Sequence, residues 1–232
     1  MSTPHKYSIT AIDPGAHLFS VSVTVAKPDP AGQGFAIPAW IPGSYMIRDY
    51  AKHVVAARAE SDGRDVALRK VDKTRWQAAA TDRELTLVLD IYAHDESVRG
   101  SHLDLTHAFF NGTCVFPTVV GQEDVACELD IVAPEKPVGK HWVVATSMNS
   151  KDADTYGFGT YRADNYAELI DHPVEIGELS IGEFEVHGIP HAIAIRGNTR
   201  ADMRRLCHDL QEICTHHMAF LGAPRDLDRY LF

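Results

Sequence analysis

The sequence predicts a mainly β fold: an antiparallel, sandwich-like domain over residues 1–197, then one long helix and a short strand from 198 to 232. Three observations carry this reading. Short segments alternate apolar and polar residues at period two, turn signals rich in Gly, Pro and Asp separate them, and helical periodicity sets in only after Thr199.

The alternation is cleanest over 17–25, where Phe19, Val21, Val23 and Val25 face one way and Ser20, Ser22 and Thr24 the other. Pro28-Asp29-Pro30 and Gly32-Gln33-Gly34 make a turn into a strand at 34–37, which Pro38 and Pro42 then stop. Arg48 and Asp49 follow between Tyr45 and Tyr50, in the pattern of a local ion pair. Strands are expected at 52–59, 66–70, 74–78 and 84–92, with Asp62-Gly63 as a hairpin turn and Leu85, Leu87, Leu89 and Ile91 on one face of the last. Further strands are expected at 113–116, 125–132, 140–146, 183–187 and 191–196. Asn111-Gly112 before the first of these reads as a type I′ hairpin turn.

Asp164 is placed to cap a short helix over 165–170, which must stop before His172-Pro173. Thr199 and Asp202 open the long helix, Met203, Leu206, Leu210, Ile213 and Leu221 line one face of it, and Gly222 and Pro224 end it.

The stretch 92–112 stands apart. It gathers His94, Asp95, Glu96, Arg99, His102 and Asp104 without regular periodicity, and long irregular segments in compact domains tend to serve function. The net charge of -10 argues against nucleic acid and anionic membrane as partners. No apolar leader or membrane-length apolar window occurs, so a cytoplasmic location is expected. Cys207 and Cys214 stand roughly 10 Å apart along the helix, too far for a disulfide, and all four cysteines are expected reduced.

Thirteen histidines raise the question of a metal. No HExxH, GxSxG, Walker or GxGxxG motif occurs. His208, Glu212 and His216 share a helix face, but ligands about 6 Å apart in a row do not converge on one ion, so a solvated face is expected. Asn111-Gly112-Thr113 matches a glycosylation sequon, which is read as fortuitous.

Several segments in fixed order resemble one family. Trp40-Ile41-Pro42-Gly43-Ser44-Tyr45-Met46-Ile47-Arg48-Asp49-Tyr50 resembles the W-x-P-G-S-Y-x-x-R-D-[FY] stretch of the glycyl aminopeptidase family of zinc metallopeptidases. Tyr92-Ala93-His94-Asp95 with Ser97-Val98-Arg99, and Phe109-Phe110-Asn111-Gly112-Thr113, are similar to its next signature. Glu168 to Gly177 is similar to the third, and Asp228-Arg229-Tyr230-Leu231-Phe232 resembles the strand opening its catalytic domain.

The resemblance implies an N-terminal β domain, then a thermolysin-like catalytic domain with HExxH, then a PDZ domain. The sequence matches the first part and the opening of the second. It is therefore expected to be the N-terminal portion of a zinc metallo-aminopeptidase with a glycine-type preference, inactive alone. No catalytic or metal residue, and no bound zinc, is expected on this chain. The expected partners are a peptide substrate and, in cis, the remaining catalytic domain and a PDZ domain. Self-association through the helix's apolar face is also expected. Tyr45, Arg48, Asp49, Asp95, Arg99, Phe109 and Asn111 are the candidates for lining the substrate cleft. The competing expectation is a non-catalytic sandwich module that binds peptide or carbohydrate.

Overall fold

The computed structural model describes residues 3–135, 138–222 and 227–232. Its largest sheet has eight strands, in the spatial order Asn149–Ser150, Gly159–Ala163, Cys127–Val132, His5–Asp13, Leu18–Val25, Leu85–Tyr92, Val54–Ser61 and Arg64–Val66. Leu85–Tyr92 lies inside this sheet, paired on both sides, so its run of apolar residues has no solvated edge. Leu85, Leu87, Leu89 and Ile91 are fully buried beside Val21, Val23 and Val25, each contributing roughly 1.5–3 kcal/mol through removal from water. Neighbouring strands run antiparallel except His5–Asp13 with Cys127–Val132, which are parallel. His5–Asp13 was not among the expected strands, although Tyr7 and Ile9 alternate with Ser8 and Thr10 as a strand requires.

Two four-stranded antiparallel sheets share the same core. One has the order Val143–Thr146, Val174–Gly177, His107–Phe110, Ser101–Leu103; the other Thr118–Val119, Gly34–Ala36, Arg75–Ala78, Leu68–Lys70. One contiguous apolar cluster, from Tyr7 to Ile176, joins all three sheets. Asp62 and Gly63 both take positive φ, 50° and 69°, and form the expected hairpin turn. The strand expected at 66–70 is divided instead. Arg64–Val66 completes the hairpin in the large sheet, and Leu68–Lys70 crosses to another.

Asn111-Gly112 is not a hairpin turn. Asn111 is extended, its side chain accepts from the Thr113 amide, and Gly112–Val115 is one turn of helix where a strand was expected. The glycine answers a packing demand. A Cβ at Gly112 would lie 2.8 Å from Ile170 Cα and 3.1 Å from the Leu169 carbonyl oxygen. The true hairpin joins Ser101–Leu103 to His107–Phe110 through Asp104 to Thr106. With Asn111 and Thr113 both buried, the sequon cannot serve a glycan. The short helix Tyr166–Leu169 is capped by Asn165 rather than Asp164, and the Glu168 side chain accepts from the Asp164 amide.

The chain after Ile176 lies outside the main apolar cluster. Leu179–Val186 and Ile189–Arg196 form a hairpin, turned at His187-Gly188, and Tyr230–Leu231 adds to it in parallel. The helix Met203–Leu221 begins at Asp202, whose side chain caps the Arg205 amide, and packs on Leu179–Val186. Gly182 permits this approach, since a Cβ there would lie 2.5 Å from Cys207 Sγ. Cys214 takes the buried position on this face, while Ile213 and Leu221 are 51% and 77% exposed rather than packed. Gly222 follows the helix with positive φ; Pro224 lies outside the described residues. All four cysteines are free. No helix among the described residues is long and apolar enough to cross a membrane.

Gly112→Ala places a methyl group against backbone that has no rotamer to yield. Chemical denaturation should show a loss of about 1–3 kcal/mol relative to the parent chain. An unchanged midpoint would contradict the packing role given to this glycine.

Candidate functional site

The stretch from Ala93 to Asn111 folds back on itself and is fastened at both ends. The Ala93 amide donates to the His17 carbonyl at 2.8 Å, the Leu103 amide to Ala93 at 3.0 Å and the Asp95 amide to Ser101 at 2.9 Å. Two donors from elsewhere converge on the carbonyl oxygen of Arg99: the Tyr50 hydroxyl at 2.9 Å and the Cys114 thiol at 3.3 Å. Burial pushes the Cys114 thiol up to about 12, so it remains a neutral donor. The first two family-like segments thus meet at one oxygen.

This junction sets Asp95 beside Arg48 and His53. Burial works against ionisation of Asp95, yet the Ser97 amide and hydroxyl and the charges of His53 and Arg48 hold its carboxyl below the usual range. Arg48 Nε is buried and finds no hydrogen-bond partner among the described residues. Asp49 adopts left-handed backbone, φ 52°, and pairs with Lys73 at 2.9 Å, in place of the expected ion pair with Arg48. Tyr45 stands fully exposed beside exposed Met46 and Ile47. Phe109 belongs to another cleft, and Asn111 is a buried helix cap. Of the seven cleft candidates, the fold therefore gathers Arg48, Asp95 and Arg99, and disperses the rest.

A second group lies on one face of the Ser101–Leu103 and His107–Phe110 hairpin. Imidazoles run in a row: His17 to His94 with ring centroids 4.1 Å apart, His94 to His102 at 5.4 Å, and His102 to His107 at 4.5 Å. His17 Nδ1 must carry a proton, because it donates to the Leu103 carbonyl. Asp104 sits under the last two rings, 3.2 Å from His102 Nε2 and 3.3 Å from His107 Nδ1. The His102 contact lies within reach but off the hydrogen-bonding direction, so both His102 nitrogens are buried without a hydrogen bond among the described residues. Burial opposes the charge on Asp104, but donation from the Thr106 hydroxyl and amide and from the His107 amide, with the His102 ring beside it, holds its carboxyl well below the ordinary range.

Arg196, at the end of the second hairpin, donates to His107 Nε2. His107 therefore keeps its proton on Nδ1, toward Asp104. Burial, then the positive charge of Arg196, lowers its pKa and favours the neutral ring. Arg196 borders two clefts. One of about 580 Å³ is lined by Glu96, Asp104, His107, Trp142 and Glu178; the other, of about 260 Å³, by Phe109, Ser147, Glu175 and Phe232. Burial pushes Glu175 up to about 7, against the opposing pull of Arg196.

His17, His107, Glu175 and Arg196 escaped the sequence reading because they come from four separate segments with no shared spacing. The alternation of His102, Asp104, His107 and Phe109 onto one hairpin face was the signal available. On the long helix, His208 and Glu212 are exposed neighbours 3.8 Å apart, with geometry proper to a solvated face.

Glu175 holds its proton more tightly folded than unfolded, so stability is fully present below its ordinary value of 4.5 and is lost as pH rises toward about 7. Denaturation midpoints between these values should fall with pH in the parent chain and fall less steeply in Glu175→Gln. Parallel slopes would contradict a buried, protonatable Glu175.

Comparison with known proteins agrees with this architecture. The family model of the peptidase M61 N-terminal domain matches residues 6–178. No curated protein matches the chain. Among solved structures, the crystal structure of the aminopeptidase N family protein from Idiomarina loihiensis superposes with a TM-score of 0.94 at 40% identity, over 98% of this chain and 38% of that one. The chain thus spans 38% of the length of the solved protein it matches. With its three sheets built from the matched segment and its signature loops joined at Arg99, the chain belongs to the peptidase M61 family and carries that family's N-terminal domain.

Proposed function

We propose that this chain is the N-terminal part of a cytoplasmic zinc metallo-aminopeptidase that removes N-terminal residues, with a glycine-type preference, from peptides. The observation that carries this reading is the match of almost the whole chain to 38% of an aminopeptidase N family protein. The remaining catalytic domain and a PDZ domain follow in cis. The hairpin, long helix and final strand, 179–232, pack on one another rather than into the main apolar cluster.

The HExxH motif that would hold the zinc implied for the parent does not occur in this sequence. Hydrolysis requires three converging protein ligands, a water and a carboxylate base, and His208, Glu212 and His216 lie in an exposed row. The chain alone is inactive on this reading, and its own residues contribute binding. Asp95, ionised and exposed beside Arg48, is suited to meet the α-ammonium group of a peptide. Arg99 contributes through its backbone, which fixes where that carboxylate stands.

In the full-length parent, Asp95→Ala should lower kcat/KM by roughly tenfold, about 1.4 kcal/mol of lost transition-state binding, with the unfolding midpoint nearly unchanged. Unaltered kinetics would remove Asp95 from the substrate path. Peptidase activity from the 232-residue chain alone would overturn the division of labour.

A further inference from the structure

We infer that Glu96, His102 and His107 form a site for one divalent transition-metal ion of the zinc type. One ligand atom from each lies within 4.8 Å of the others. His102 supplies an independent sign. Its ring is 2% exposed; Nδ1 has no hydrogen-bond partner among the described residues, and Nε2 meets only the Asp104 carboxylate, 3.2 Å away. A bound ion would supply the partner that this buried nitrogen lacks. Two imidazoles and a carboxylate favour zinc, cobalt or nickel over magnesium or calcium, which prefer all-oxygen shells. Asp104, beside both rings, supplies the outer carboxylate that commonly orients metal-bound histidines.

Two features set what binding requires. The His102 and His107 rings lie nearly parallel, 17° apart, so their in-plane lone pairs run side by side, and one ring must turn to converge with the other. Arg196 holds His107 Nε2 and brings a positive charge to the site. The ion and the Arg196 guanidinium therefore compete. Arg196 ends the strand Ile189–Arg196 and is exposed, so it is free to withdraw. Glu96 is exposed, and a change of side-chain rotamer would bring its carboxylate closer to the rings.

Cobalt(II) titrated into the purified chain tests this, because visible absorption reports a low-coordinate site and its stoichiometry. The expected result is one ion per chain. Glu96→Gln, an exposed change that leaves the fold intact, should weaken binding at least tenfold, and His107→Asn should abolish the band. Arg196→Gln should tighten binding, a direction that no merely structural role predicts. His208→Ala with His216→Ala should change nothing. Absence of a band, a band insensitive to Glu96→Gln and His107→Asn, or one lost with the helix histidines would overturn the site. Weaker binding in Arg196→Gln would overturn the competition. Far-ultraviolet circular dichroism confirms that each variant is folded.

Discussion

One carbonyl oxygen, that of Arg99, organises the functional surface. Two donors reach this part-buried carbonyl, from Tyr50 and from Cys114. Each sits in a different segment, 49 and 15 residues away. Without them the irregular stretch would regain conformational entropy of about 1–2 kcal/mol per residue freed. With them, Asp95 is held against Arg48 and His53, and the turn at Gly100 packs directly on the Asp95 side chain. The one-turn helix carrying Cys114 is itself seated on Leu169 and Ile170, which only a glycine at 112 allows. A chain of local constraints thus runs from the third signature segment through the second to the first.

Arg196 plays the complementary part on the other face. It bonds to His107, faces Glu175, and belongs to the hairpin that packs with the long helix. Its charge lies between a neutral imidazole and a carboxyl of raised pKa, so the electrostatics of the sheet depend on where this hairpin stands. Asp104 balances the arrangement from beneath the rings. Of these groups, Asp104 and Glu96 stand in the stretch that the sequence marks as irregular, whereas the hairpin's share is invisible until the chain folds.

Much of the β architecture was legible because period-two burial is a direct consequence of strand geometry, as Leu85, Leu87, Leu89 and Ile91 illustrate. Asp62-Gly63 was legible for the same kind of reason, since the turn requires two positive φ angles. Asn111-Gly112 misled because the same dipeptide also suits a helix cap followed by a close backbone approach, and local chemistry does not distinguish them. The long helix showed its period, but which of its apolar residues find partners depends on the extent of the sheet beneath, so Ile213 and Leu221 remain exposed. Among the cleft candidates, Arg48, Asp95 and the Arg99 backbone lie near one another in the fold. Motif order could not place Phe109, whose side of the sheet is set by pairing with His102 and Glu175.

The central claim is that the Arg99 carbonyl fastens the loop as a rigid supporting wall. Hydrogen exchange of Tyr50→Phe, which deletes one donor hydroxyl and keeps the ring, tests it directly. The amides of 95–103 should exchange roughly fivefold faster, in line with about 1 kcal/mol for the lost bond, while those of Leu85–Tyr92 keep their protection. Unchanged exchange across the loop would contradict the account.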